Sequence, residues 1–141
     1  MKYQYTTISE TYDTKGKYTR RPLLQLELLE KGKSVTVYGL IDSGADLTLI
    51  NIEYASSLGI PLHKNNTKEF IGIGGRPIVC YLHTISIRPE HFTTPVKIPV
   101  AFIESNAVDV LLGQEGFFDL YRIKFEKDHG VFEITQSLKK R

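Results

Sequence analysis

Apolar residues along this chain recur mostly at every second position, the period of a strand with one buried face. In "LLQLELL" (23–29), Leu24, Leu26 and Leu28 share one face, while Gln25 and Glu27 share the other. After the turn signal "EKGK", the stretch "SVTVYGLI" (34–41) returns with Val35, Val37 and Ile41 on one side. The pair predicts a hairpin that delivers Asp42 at its far end. "LTLIN" (47–51) predicts a further short strand. The period then changes, and Ile52, Ala55 and Leu58 are spaced for a short helix ended by Gly59 and Pro61. Past the polar "HKNNTK", "EFIGIGGRPIVCYLHTISI" (69–87) predicts two strand arms around a glycine-rich tip. "KIPVAFIE" (97–104) predicts another strand, which Pro99 places at a sheet edge. "VDVLLG" (108–113) predicts a buried strand ending in Gly113, and "QEGFFDLY" (114–121) one or two helical turns opened by core residues Phe117 and Phe118. In "YRIKFEKDHGVFEIT", Tyr121, Ile123 and Phe125 share a face, and the chain turns at "KDHG" to return through Phe132 and Ile134.

Roughly eight short strands and two short helices, with regularly spaced turn signals, predict an all-β fold: a small closed barrel or sandwich. Residues 1–19 are polar, rich in Thr and Tyr, and without sustained period. They predict an N-terminal arm, either extended and flexible or added as one edge strand, ahead of a single domain over 20–141. An apolar strand running into a glycine occurs twice, in "GLIDSG" and "DVLLG".

Composition narrows the function classes. With 18 Lys and Arg against 16 Asp and Glu, the formal charge is +2, too even to predict nucleic acid or an anionic membrane as partner. The terminal "LKKR" reads as a solvated tail. The single Cys80 permits no internal disulfide and no cysteine-built metal site, and reads as a structural thiol. His63, His83, His91 and His129 fall in separate segments, so no metal or other cofactor is expected. The opening "MKYQYTTISETYD" lacks the apolar core of a secretory signal, and no apolar run reaches the ~20 residues that span a bilayer. A cytoplasmic setting is the expectation.

One residue does not fit the pattern. A carboxylate ending an apolar strand is costly unless it is hydrogen-bonded, paired or at work. Asp42 with Ser43 and Gly44 can be an ordinary turn, where Asp and Gly are favoured for local reasons. A phosphatase-type nucleophile needs a second Asp two residues on, where Gly44 stands. "IGIGG" as a dinucleotide loop needs a helix directly after it, but Pro77 and a strand-like run follow. Asp109, before "VLLG", reads as a strand-start residue, and Arg76 as a solvated residue of the hairpin tip.

The order of a strand into D-S-G-A, a glycine-rich hairpin, an apolar strand ending in glycine and a short helix resembles the retropepsin-like aspartic proteases. "LIDSGADLTLI" (40–50), "IGIGGRP" (71–77) and "VDVLLGQEGFF" (108–118) carry the resemblance, which covers roughly residues 22–136. It implies an acid-protease barrel and an aspartic endopeptidase. Asp42 would be the catalytic carboxylate, with Ser43 and Gly44 completing the catalytic loop. Ser43 would hydrogen-bond across a dimer, and Gly44 would let two backbones approach at its axis. Ala45, Asp46, Ile73, Gly74, Gly75 and Arg76 would meet an extended peptide substrate, the last four from a closing flap. Such chemistry needs two carboxylates sharing one proton. A chain with one D-S-G therefore has to act as a homodimer. Retroviral members follow the LLG-type motif with an Arg that pairs with the acid matching Asp46; here Gln114 and Glu115 follow instead. A peptide-binding or dimerisation module that does not hydrolyse is the alternative on the same fold, and a chain that dimerises only on a partner is another.

Overall fold

The computed structural model describes residues 1–63, 66–71, 75–105 and 109–137. Its centre is the predicted hairpin. Strand β4 (Leu23–Glu30) buries Leu24, Leu26 and Leu28, and pairs antiparallel with β5 (Lys33–Ile41) from Leu23↔Leu40 to Glu30↔Lys33. The two-residue turn between them has Lys31 at φ 43° and Gly32 at φ 80°. Positive φ at both central positions matches the right-handed twist of the flanking strands.

Before this hairpin come β1 (Lys2–Gln4), β2 (Thr6–Tyr12) and β3 (Tyr18–Arg21); after it come β6 (Thr48–Asn51) and helix α1 (Glu53–Ser57). The chain continues through β7 (Thr67–Ile71), β8 (Pro77–Pro89), β9 (Val96–Ile103), β10 (Val110–Leu112) and helix α2 (Phe117–Leu120), and ends in β11 (Tyr121–Glu126) and β12 (Val131–Gln136). Six strands follow one another in the order β4-β5-β10-β6-β9-β8, and β8 pairs back onto β4. A closed six-stranded barrel results, so its strands leave no open edge. β7 extends it beyond β8 as the second arm of the glycine-tipped hairpin. Among the described residues no helix is long and apolar enough to cross a membrane.

The barrel interior holds Leu24, Leu26, Leu28, Ile50, Ile85, Ile87, Ile98 and Phe102, and α2 closes it with the buried Phe117. Outside the barrel, β1, β12 and β11 form a three-stranded sheet in that order. Of the two forms open to the polar N-terminal segment, residues 2–4 take that of an edge strand. Tyr3 is buried there, its ring 5.3 Å from that of Phe132, and its hydroxyl donates to the Glu90 carbonyl at 2.6 Å. β2 and β3 form a separate hairpin with Tyr12 and Tyr18 exposed and stacked.

Three expectations change. Twelve strands are present among the described residues where roughly eight are legible, because β1, β2 and β3 carry little apolar alternation. β9 is interior, between β6 and β8, although Pro99 suggests an edge. The proline is tolerated because the β6 ladder begins only at Thr48↔Val100, so Pro99 pairs with Thr84 on one side alone. Phe125 alternates with Tyr121 and Ile123 but is exposed: β11 is the edge strand of the outer sheet, and it is the opposite Phe132, on the central β12, that enters the core.

Candidate active site

β5 stays apolar through Ile41 and ends where its parallel neighbour ends. Leu40 and Ile41 stand beside Leu111 and Leu112 of β10. The two stretches that echo each other in the sequence are thus adjacent strands. The Asp42 N–H donates to the Leu112 carbonyl at 3.0 Å, and the chain then turns. Ala45 N–H donates to the Asp42 carbonyl at 3.2 Å, and Gly44 N–H to Asp42 Oδ1 at 2.9 Å. This is an Asp-led turn. The turn reading and the chemical reading of D-S-G-A are therefore compatible, because the turn engages Oδ1 and fixes the carboxylate. Asp42 is half-buried, and Ser43 and Gly44 are exposed at the apex. A Cβ on Gly44 would stand 3.3 Å from Asp42 Oδ1.

The segment after β10 clamps this loop. Gln114 N–H donates to the Ala45 carbonyl at 2.8 Å, and Glu115 N–H to the Asp46 carbonyl at 2.9 Å. Gln114 Nε2 donates to the Ser43 carbonyl at 2.7 Å. Gly113 N–H donates to Thr48 Oγ1 at 3.2 Å, and Thr48 is the one buried polar residue among those described. Asp46 and Glu115 are both exposed, so two acids are brought side by side where a retroviral-type chain pairs an acid with Arg. Thr48→Val keeps the shape but strands the Gly113 N–H in the interior. Urea denaturation should register a loss of about 1–3 kcal/mol.

The other candidate residues lie apart from this loop or outside the described residues. The β7–β8 ladder reaches Ile71↔Pro77. Gly75, at φ 71°, and Arg76 are exposed beyond it, and among the described residues no hydrogen bond or ion pair joins them to the loop. Ile73 and Gly74 lie outside the described residues. Asp109 accepts a 2.7 Å hydrogen bond from the Tyr54 hydroxyl, which raises that hydroxyl to about 12. Cys80 is fully buried, and burial pushes its thiol up. His83 pairs with Glu30 at 2.6 Å.

A second apolar cluster, mostly of residues outside the quoted motifs, adjoins the loop at Leu47. Cys80, Ala101 and Ile103 form a second buried cluster, against which Leu47, Leu49, Ile78 and Leu82 pack. It runs from the Asp42 loop, through Leu47, to the β8 arm of the glycine-tipped hairpin, which supplies Ile78, Cys80 and Leu82. The available signal is "VAFI" in β9: a strand buried on both faces reads as an unbroken apolar run. All four of its residues are buried.

A family profile described as aspartyl protease matches residues 28–115, more than half of the 141-residue chain. Among solved structures, the chain is similar to a retropepsin-like aspartic protease from Rickettsia conorii, with 17% sequence identity and a TM-score of 0.58. That likeness covers 88% of this chain and 93% of the other. No curated protein sequence matches the chain.

Proposed function

The chain belongs to the aspartyl protease family, with a retropepsin-like fold, and on that premise we propose that it is an endopeptidase acting through Asp42 in a homodimer. The observation that carries this is the Asp42 carboxylate itself. It is half-exposed at a strand end, and its Oδ1 is held by one peptide N–H. Paired-carboxylate hydrolysis needs a second acid, and the chain carries one D-S-G, so its catalytic counterpart is Asp42 of a second copy. Ser43 and Gly44, exposed at the loop apex, are where that copy meets it.

Between the two carboxylates, one takes a proton from a bound water as the water oxygen attacks the scissile carbonyl carbon. The other gives its proton to the carbonyl oxygen. Collapse of the resulting diol breaks the C–N bond as the nitrogen is protonated, leaving a carboxyl and an amine. No covalent intermediate forms. The substrate lies extended, with its side chains in alternate pockets. The partly buried apolar residues Leu47, Leu49, Ile78 and Leu82, in one cluster that starts at the loop, support that reading.

Cleavage of a denatured protein should rise as the square of enzyme concentration at low dose, because only paired chains carry a complete site. The rate should be bell-shaped in pH, falling when the pair takes a second proton and again when it loses its only one. A rate strictly proportional to concentration down to monomeric levels would overturn the shared site. Tight peptide binding without cleavage by a dimeric preparation would overturn the hydrolytic reading.

A further inference from the structure

The side chain of Gln114 reaches back to the loop that its main chain already holds. Its Nε2 donates to the Ser43 carbonyl oxygen at 2.7 Å. That oxygen belongs to the peptide unit whose nitrogen is Gly44 N, and Gly44 N–H donates to Asp42 Oδ1 at 2.9 Å. One planar peptide group thus carries a hydrogen bond at each end, the Gln114 amide on its oxygen and the Asp42 carboxylate on its N–H. A donor on the carbonyl oxygen draws electron density toward it, leaves the N–H more positive, and strengthens the bond that the N–H makes. The same donor fixes the rotation of the Ser43–Gly44 plane at an exposed loop apex.

We propose that Gln114 is a positioning residue for Asp42, acting through the Ser43–Gly44 peptide to hold the carboxylate in its turn. The proposal deepens the catalytic reading of Asp42 and rests on it for its consequence in turnover; the hydrogen-bond relay itself can be measured without substrate. The substitution Arg→Gln relative to retroviral-type chains thereby gains a role of its own. Gln114 supports the catalytic loop at Ser43, whereas the Arg it replaces pairs with the acid matching Asp46.

Gln114 is exposed, and the loop keeps its main-chain bonds from Gln114 N–H and Glu115 N–H whatever the side chain. Variants at this position should therefore fold. The test is the Gly44 amide proton, read by NMR on the full chain at neutral pH in wild type, Gln114→Met and Gln114→Glu. Met removes the donor. Glu replaces it with a carboxylate that repels the Ser43 carbonyl. Both should move the Gly44 proton upfield and speed its exchange with solvent about five-fold. A Gly44 proton that stays in place in a folded Met or Glu variant overturns the proposal. In a cleavage assay, Gln114→Met should lower kcat about five-fold with KM little changed. A lowered kcat beside an unmoved Gly44 proton would mean a purely structural role and also overturns it. A wild-type chain that cleaves nothing would sink the proteolytic reading, leaving the amide proton to decide this one.

Discussion

Asp42→Asn should abolish cleavage, by about 10³-fold or more, while leaving the fold standing. The amide keeps an oxygen where Oδ1 accepts the Gly44 N–H, so the turn survives. It cannot take a proton from water or share one with a second carboxylate. Because the side chain is half-exposed and holds one described hydrogen bond, the stability change should stay within about 1 kcal/mol. The proposed two-fold site adds a sharper measurement. If Asn and wild-type chains are mixed in equal amounts and allowed to exchange, only wild-type pairs retain both carboxylates. Activity should then fall to about one quarter of that of the same total of wild-type chains. Equal cleavage by the two pure forms would sink the assignment of Asp42. A mixture retaining one half would mean that each chain works alone.

Gly113→Ala should be the most destabilising single substitution around the site, costing about 3–5 kcal/mol. A Cβ on Gly113 would lie 2.2 Å from the Leu47 carbonyl oxygen, 2.5 Å from its carbon and 2.7 Å from the Ala45 carbonyl oxygen. Ordinary overpacking costs about 1–3 kcal/mol because side chains can give way. Here every clashing atom is main chain. Relief would require β10 to part from the Asp42 loop, losing the hydrogen bonds from Gly113, Gln114 and Glu115 together. Gly16→Ala is the control. Gly16 sits at φ 78° with nothing within 4 Å of an added Cβ, so it should cost only about 1–2 kcal/mol, the conformational term alone. Chemical denaturation of both variants checks the pair. A Gly113→Ala cost no larger than the control would contradict the close crossing of β10 and the loop.

The same crossing explains where the sequence is legible and where it is not. Strands with one wet face declare themselves by alternation. Leu24, Leu26 and Leu28 are buried on the face their spacing assigns, and the Lys31–Gly32 turn joins β4 to β5 where "EKGK" marks it. Alternation misleads where burial depends on what lies beyond the strand. Phe125 has the right period but lies on an edge strand, whereas Tyr3 sits in a polar stretch of sequence and is buried with its ring stacked on Phe132 of the neighbouring β12. Pro99 carries a true local rule, that its nitrogen cannot donate to a ladder. Only the register shows that the rule is met in an interior strand.

The site divides in the same way. Asp42, Ser43 and Gly44 stand out because an acid, a small hydroxyl residue and a glycine break an apolar run, and that is a property of neighbours along the chain. Thr48 and Gln114 give no such signal, because their partners, Gly113 and Ser43, are some seventy positions away in the chain. The sequence by itself determined the strand periods, the all-β class and the residue proposed to carry the chemistry, since each depends on adjacent side chains and short-range turn preferences. Tertiary structure alone decided that "GLID" and "VLLG" lie side by side, that Gly113 has no room for a Cβ, and that a glutamine stands behind the Ser43–Gly44 peptide. Those are distances between segments remote in sequence, and only closure of the barrel sets them.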